Sequence, residues 1–205
     1  LVVITGGTIE ALYSPDHGTP YYVPVPKTAE ESAIPAALKK MELDADCDYF
    51  FSSMKDSKEV QATELDGILH QITQGNYDRC IIVHGTDTMP LHARYMQRRF
   101  EEYGGEAGMD SKRIIFTGAM KPLRDEAGNW HEETKVDGWN NLRRAVTDAN
   151  NATLTPGVYV EMGEGPWDPR TVKKTVATSG EGKAAKVTMS GFGPDDPERH
   201  REIIF

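Results

Sequence analysis

Two short glycine-bearing segments carry threonines, Thr5-Gly6-Gly7-Thr8-Ile9 and Val83-His84-Gly85-Thr86-Asp87-Thr88-Met89. A threonine hydroxyl is a weak nucleophile until a base removes its proton. Thr8 has a tyrosine five residues on, Tyr13, within reach of a hydrogen bond from a neighbouring loop. Thr86 is followed at once by Asp87, and a lysine desolvated nearby would serve as its base. The chemistry these residues suit is nucleophilic attack on a small polar molecule. His84 reads as a residue that shapes its loop rather than as a base.

Elements must hold these groups in place. Each segment follows a short apolar run, Leu1-Val2-Val3-Ile4 or Cys80-Ile81-Ile82-Val83. Runs of this length, β-branched and closed by glycine, read as buried parallel strands. Both loops then lie at carboxyl ends of strands, where open α/β sheets bind ligands. Further strands are expected at 48–52, 79–83, 113–117 and 157–162. Helices are expected at 33–41, 59–74, 90–102 and 137–150. In the second of these, Leu65, Ile68, Leu69 and Ile72 share one face by offsets of three and four. The next should turn Leu91, Tyr95 and Met96 inward, and the last Trp139, Leu142, Ala145 and Val146.

Residues 13–27, rich in Tyr, Pro and Gly, read as a long loop of the kind that forms lids. Residues 121–136 read as a charged, solvated loop around Trp130 and His131, and the tail beyond Gly163 as short extended runs. Four strand ends should close with small residues: Gly6-Gly7, Ser52-Ser53, Gly85 and Gly118. The alternation predicts an α/β fold, an open, mainly parallel sheet with helices on both faces.

Composition narrows the classes. The chain has 205 residues and a formal net charge of −9, which argues against nucleic acid or an anionic membrane as partner. No stretch approaches the length of a membrane-spanning helix. The two cysteines, Cys47 and Cys80, flank apolar runs and are expected to be buried free thiols. No zinc-ligand spacing exists among the six histidines, and no metal is expected. No Gly-x-Gly-x-x-Gly or Gly-Lys-Ser/Thr follows the first strand, so a nucleotide is not the expected ligand.

Thr-Gly-Gly-Thr-Ile and His-Gly-Thr-Asp-Thr-Met, in this order, resemble the bacterial-type L-asparaginase family. Gly118-Ala119-Met120-Lys121-Pro122 and Asp137-Gly138 with Asn141-Leu142 extend the match. Arg170-Thr171-Val172-Lys173-Lys174-Thr175 is similar to the segment where asparaginases keep a catalytic lysine. The best register selects Lys174, with Lys173 one step away. The resemblance implies Thr8 as nucleophile and Tyr13 as its loop tyrosine, or Tyr21 or Tyr22 in the longer family pattern. Thr86, Asp87 and Lys174 resemble the second triad, Asp87 also binding the substrate's α-amino group.

Asp56-Ser57-Lys58-Glu59 fits the family's Ser-x-Asp/Glu segment, which implies Ser57 and Glu59 as substrate contacts, with Glu59 in place of the commoner aspartate. Ser52-Ser53 is the alternative. The Ala119 carbonyl would receive the side-chain amide. The reaction implied is hydrolysis of L-asparagine, or of L-glutamine, to the acid and ammonia through a threonyl ester, without metal or organic cofactor. A cytoplasmic homo-oligomer is the family expectation. The chain is expected to form one domain over residues 1–205 without the family's carboxyl-terminal domain, as in its short members. Two other classes stay open: an amidase with another substrate, including a subunit that feeds ammonia to a transferase, and a noncatalytic module that binds an amino acid.

Overall fold

Alternate residues of the central strands serve opposite faces of one sheet. Val3, Cys80, Ile82, Ile114, Phe116, Val158 and Val160 belong to one apolar cluster. Val2, Ile4, Ile81, Val83 and Ile115 belong to the other. Side chains on a strand alternate with a period of two, so a sheet buried on both faces is apolar at nearly every position.

The computed structural model describes residues 1–14, 21–23, 28–103, 108–177 and 186–191. In chain order the elements are β1 (Val2–Gly6), β2 (Leu12–Ser14), β3 (Tyr21–Val23), α1 (Ile34–Lys40), β4 (Tyr49–Lys55) and α2 (Ala62–Gln74). Then come β5 (Arg79–Val83), α3 (Met89–Glu102), β6 (Arg113–Thr117), β7 (Arg124–Asp125) and α4 (Gly138–Asn150). β8 (Gly157–Glu161), β9 (Val172–Ala177) and β10 (Lys186–Gly191) follow. Five strands form a parallel sheet in the order β4-β1-β5-β6-β8. The chain steps from β1 outward to β4, then crosses back over β1 to β5. The crevice at the carboxyl ends of β1 and β5 is therefore the switch point, where α/β sheets of this order bind ligands.

Helices cover both faces. Leu65, Ile68, Leu69 and Ile72 of α2 pack with Met89, Ala93, Met96 and Phe100 of α3 on one side. Ile34, Ala37 and Leu38 of α1 pack with Trp139, Leu142, Ala145 and Ala149 of α4 on the other. Each such fully buried aliphatic side chain contributes about 1.5–3 kcal/mol by leaving water. A reciprocal cap starts α2, where the Gln61 N–H donates to Glu64 Oε2 at 2.8 Å. Pro90 lies in the first turn of α3, where its missing N–H costs nothing.

Several expectations need correction. Residues 13–27 are not one loop: Leu12–Ser14 and Tyr21–Val23 pair antiparallel, and β7 joins β2 in parallel. Aromatic and β-branched residues favour the strands, and the prolines fall outside them. Ser52 and Ser53 lie inside β4 and close no strand end. Ser53 Oγ instead donates to the Thr5 carbonyl at 3.4 Å.

In α3, Leu91 and Tyr95 are only half-buried. The inward stripe is Met89, Ala93, Met96 and Phe100, and Tyr95 turns its hydroxyl to Asp66 at 2.9 Å. Val146 likewise lies at the margin of the α4 face, where Ala149 takes the buried position. Both thiols are free, but only Cys80 is buried, while Cys47 is half-buried and donates to the Leu43 carbonyl at 3.4 Å. Trp130 is half-buried rather than fully solvated: its ring lies 5.3 Å from that of Trp139, whose Nε1–H donates to the His131 carbonyl.

Candidate active site

The loops after β1 and β5 meet backbone to backbone. A Cβ placed on Gly7 would lie 2.5 Å from the Gly85 Cα and N atoms. Gly7 also has φ of 91°, a conformation that side chains disfavour. Thr8 opens the 3-10 turn Thr8–Glu10 just beyond this contact, with its N-terminus capped by Gly7. The Thr8 hydroxyl makes no hydrogen bond to another described residue.

Glu10 fixes that turn from below. It is fully buried, accepts from Ser32 Oγ at 2.5 Å and from the Ala33 N–H at 2.8 Å, and so ties the turn to the start of α1. Burial holds its carboxyl above the usual range, against the lowering effect of these bonds and of Arg124.

Thr86 and Asp87 lie on the loop after β5. Lys174 reaches them from β9, outside the main sheet. Its Nζ donates to Thr86 Oγ1 at 3.0 Å and to Asp87 Oδ1 at close range. Thr86 is buried and turns its own proton toward Met120 Sδ at 3.6 Å. Lys58 takes the other oxygen of the same carboxylate, with Nζ 2.7 Å from Asp87 Oδ2. Burial works to raise the Asp87 carboxyl, but the hydrogen bonds from Lys174 and Lys58 outweigh it and hold it low.

A buried polar chain orients the β5 loop. Thr5 Oγ1 donates to the Val83 carbonyl at 3.0 Å and meets His84 Nδ1 at 2.6 Å. His84 Nε2 meets His92 Nδ1 at 2.8 Å, and Thr88 Oγ1 donates to the Ser57 carbonyl at 3.0 Å. Burial drives His84 down to about 3 and His92 to about 4, so both rings are neutral near pH 7.

The remaining predicted residues divide. Ser57 is buried against Gly85, its Oγ 2.8 Å from where a Cβ on Gly85 would stand. Asp56, not Ser57, caps the 3-10 turn Ser57–Glu59, by accepting the Lys58 N–H at 2.9 Å. Glu59 is exposed at the end of this turn and joins no ion pair among the described residues. Ala119 is buried in a segment held on both sides. Asp137 accepts the Met120 N–H at 2.9 Å, and Asn141 Nδ2 donates to the Gly118 carbonyl at 2.9 Å. Tyr13 lies on β2, opposite Tyr22. The side chains of Tyr13, Tyr21 and Tyr22 lie outside the described part of the structure.

The structure thus brings Thr86, Asp87 and Lys174 together, next to the Thr8 loop and Ser57. Lys58 and Glu10 were missed from sequence. A cation inside the Ser-x-Glu segment, and an acid between the apolar Ile9 and Ala11, were the signals available. Among the described residues, no group of three or more His, Cys, Asp or Glu side chains is placed to hold a metal ion. No helix among them is long and apolar enough to cross a membrane.

Known proteins resemble this chain in sequence and in fold. An L-asparaginase of Bacillus licheniformis is 26% identical over 132 residues, which cover 63% of this chain and 35% of that protein. The fold is similar to that of an L-asparaginase I from Vibrio cholerae, with a TM-score of 0.61 and 22% identity, over 93% of this chain and 50% of the other. It is similar also to the thermostable L-asparaginase of Thermococcus kodakarensis, with a TM-score of 0.58 and 23% identity, over 84% and 46%. A probable cytoplasmic L-asparaginase of Campylobacter jejuni gives 0.62 and 22%, over 84% and 48%. The chain thus spans half or less of the length of each of these relatives. Residues 1–184 match the family description "Asparaginase, N-terminal", and the chain belongs to the asparaginase family.

Proposed function

We propose that this chain carries the reacting groups of an amidohydrolase that converts the side-chain amide of L-asparagine to L-aspartate and ammonia. The observation that carries this reading is the Lys174 ammonium on both Thr86 Oγ1 and Asp87, beside the loop that bears Thr8. In the proposed sequence Thr8 Oγ attacks the carboxamide carbon and its proton passes to the leaving amide nitrogen. The amide C–N bond breaks, ammonia leaves, and an ester joins Thr8 to the acyl group. Water enters next, held by Thr86, whose hydroxyl the Lys174 ammonium orients; its OH adds to the acyl carbon and its proton returns to Thr8 Oγ as the ester bond breaks, which frees the acid. Backbone N–H groups of the glycine turns stabilise the oxyanion, each such donor being worth about 3 kcal/mol of barrier.

Tyr13 is proposed to orient Thr8. Ser57 and Glu59 are proposed to hold the α-substituents, and the Ala119 carbonyl to accept the amide N–H. Assembly into a homo-oligomer in the cytoplasm belongs to the same proposal. The test is ammonia release from L-asparagine and L-glutamine by the native chain, Thr8→Ala and Lys174→Met. Release by the native chain that both substitutions abolish supports the hydrolase. No release, with L-aspartate still bound, favours the noncatalytic binding module. A second reading, an amidase whose preferred amide is not free L-asparagine, is favoured by the hold of Lys58 on Asp87.

A further inference from the structure

Both oxygens of the Asp87 carboxylate are taken by ammonium groups, Oδ1 by Lys174 and Oδ2 by Lys58. Lys174 is largely covered, its side chain 16% exposed, while that of Lys58 is 66% exposed. The two cations therefore differ in role. Lys174 is bound into the Thr86 contact. Lys58 stands at the rim and faces solvent. Asp56 faces Lys58 as well, but its carboxylate is engaged by the Lys58 backbone N–H at 2.9 Å. Ser57, the neighbour of Lys58, is buried against Gly85, which fixes where the Lys58 stem begins.

An α-ammonium arriving at Asp87 would have to displace Lys58 from Oδ2. Lys174 and the ligand would then share the carboxylate, and the Lys58 ammonium would be left unpaired beside a like charge. A ligand with a carboxylate and no ammonium meets a different site: the Lys58–Asp87 pair stays whole, and the exposed Lys58 ammonium offers its remaining N–H donors to the ligand's anion. Specificity is a difference between two such affinities, and a placed like charge is one of its usual instruments. We propose that Lys58 is a specificity-determining residue that turns this site toward acid amides bearing a carboxylate but no α-ammonium, in preference to free L-asparagine. The inference rests on the amidohydrolase reading in its second form, an amidase whose preferred amide is not free L-asparagine, and names the class of that amide.

The test is equilibrium binding by titration calorimetry of succinate and L-aspartate, which differ only in the α-ammonium, to the full chain, Lys58→Gln and Lys58→Arg. The native chain is expected to bind succinate tighter than L-aspartate by about tenfold, the size of one charge-assisted hydrogen bond. Lys58→Gln should close that gap and Lys58→Arg should keep it. L-aspartate bound as tightly as succinate by the native chain overturns the proposal. So does a gap that Lys58→Gln leaves intact, or a chain that binds neither. Ammonia release from L-asparagine and from succinamate, measured beside it, separates the two readings. A binding preference without release counts against hydrolysis and for the role of Lys58. Release from both amides at equal kcat/KM counts against Lys58 alone.

Discussion

Gly7 and Gly85 come from strands with a full βα unit and more between them, yet their backbones touch. A Cβ on Gly7 would sit 2.5 Å from the Gly85 Cα. The contact brings the Thr8 turn and the Thr86-Asp87 loop to one point. Gly7→Ala meets two penalties, the positive φ and the clash, together about 2–4 kcal/mol. Thermal unfolding should show that loss, and the loops must part to relieve it. An unchanged melting temperature would mean that the loops can separate without cost.

The Thr8 hydroxyl makes no hydrogen bond to another described residue, so it contributes little to folding. Thr8→Ala is expected to change stability by less than about 0.5 kcal/mol. On the proposed mechanism the same substitution should lower ammonia release by about ten-thousandfold, the size of a lost nucleophile. Thr8→Ser, which keeps the oxygen, should keep measurable turnover. Denaturant titration and an ammonia assay on the same preparations check both halves.

The proton positions in the histidine chain follow from the hydroxyl. Thr5 Oγ1 spends its proton on the Val83 carbonyl, so it accepts from His84 Nδ1–H. His84 Nε2 then accepts from His92 Nδ1–H. Nitrogen NMR of the imidazoles should find Nδ1–H on both rings and no imidazolium at pH 5. Both folded values lie below the ordinary 6.5, near 3 and 4. The unfolded chain therefore binds protons first, and stability is lost as pH falls below about 6.5. A charged ring at pH 5 would contradict the assignment.

Glu161 ends β8 with its carboxyl fully buried. Burial, then the nearby Asp148 carboxylate, raise it to about 8 in spite of Arg144. Arg144 Nε lies 3.0 Å from Oε1, but neither Glu161 oxygen receives a well-formed hydrogen bond. The Arg144 Nη atoms are turned instead to the carbonyls of Gly163 and Gly165. Between the ordinary 4.5 and about 8 the folded chain keeps a proton that the unfolded chain has released. Stability from this group falls as pH rises through that window. Glu161→Gln carries no such proton and should gain on the native chain from about pH 5 to about pH 8. Urea midpoints at the two pH values give the sign.

Local pattern carried most of the sheet. β5 and β6 fall at 79–83 and 113–117, where runs of β-branched residues end in polar ones. The motif threonines were equally legible, because a glycine turn at a strand end is a local signal. What was not legible depends on distant partners. Lys58 reads as a surface lysine until Asp87 is placed 2.7 Å from it. Glu10 reads as exposed until Ser32 and Ala33 satisfy it inside. Tyr13 and its neighbours read as loop because a three-residue strand has no periodicity of its own. Its pairing with β3 and β7 supplies the order.

The hairpin β9–β10 stands apart from the five-stranded sheet as a sheet of its own. Its one deep anchor among the described residues is Val172, which is fully buried in the α3 side of the core. Two positions further, on the same strand, Lys174 crosses 88 residues of sequence to reach Thr86. Contacts of that separation close late when a chain folds, because loop entropy is lost before they form. Opening of this hairpin alone, a local event that leaves the core protected from hydrogen exchange, would take Lys174 off Thr86 while the rest of the molecule stays native.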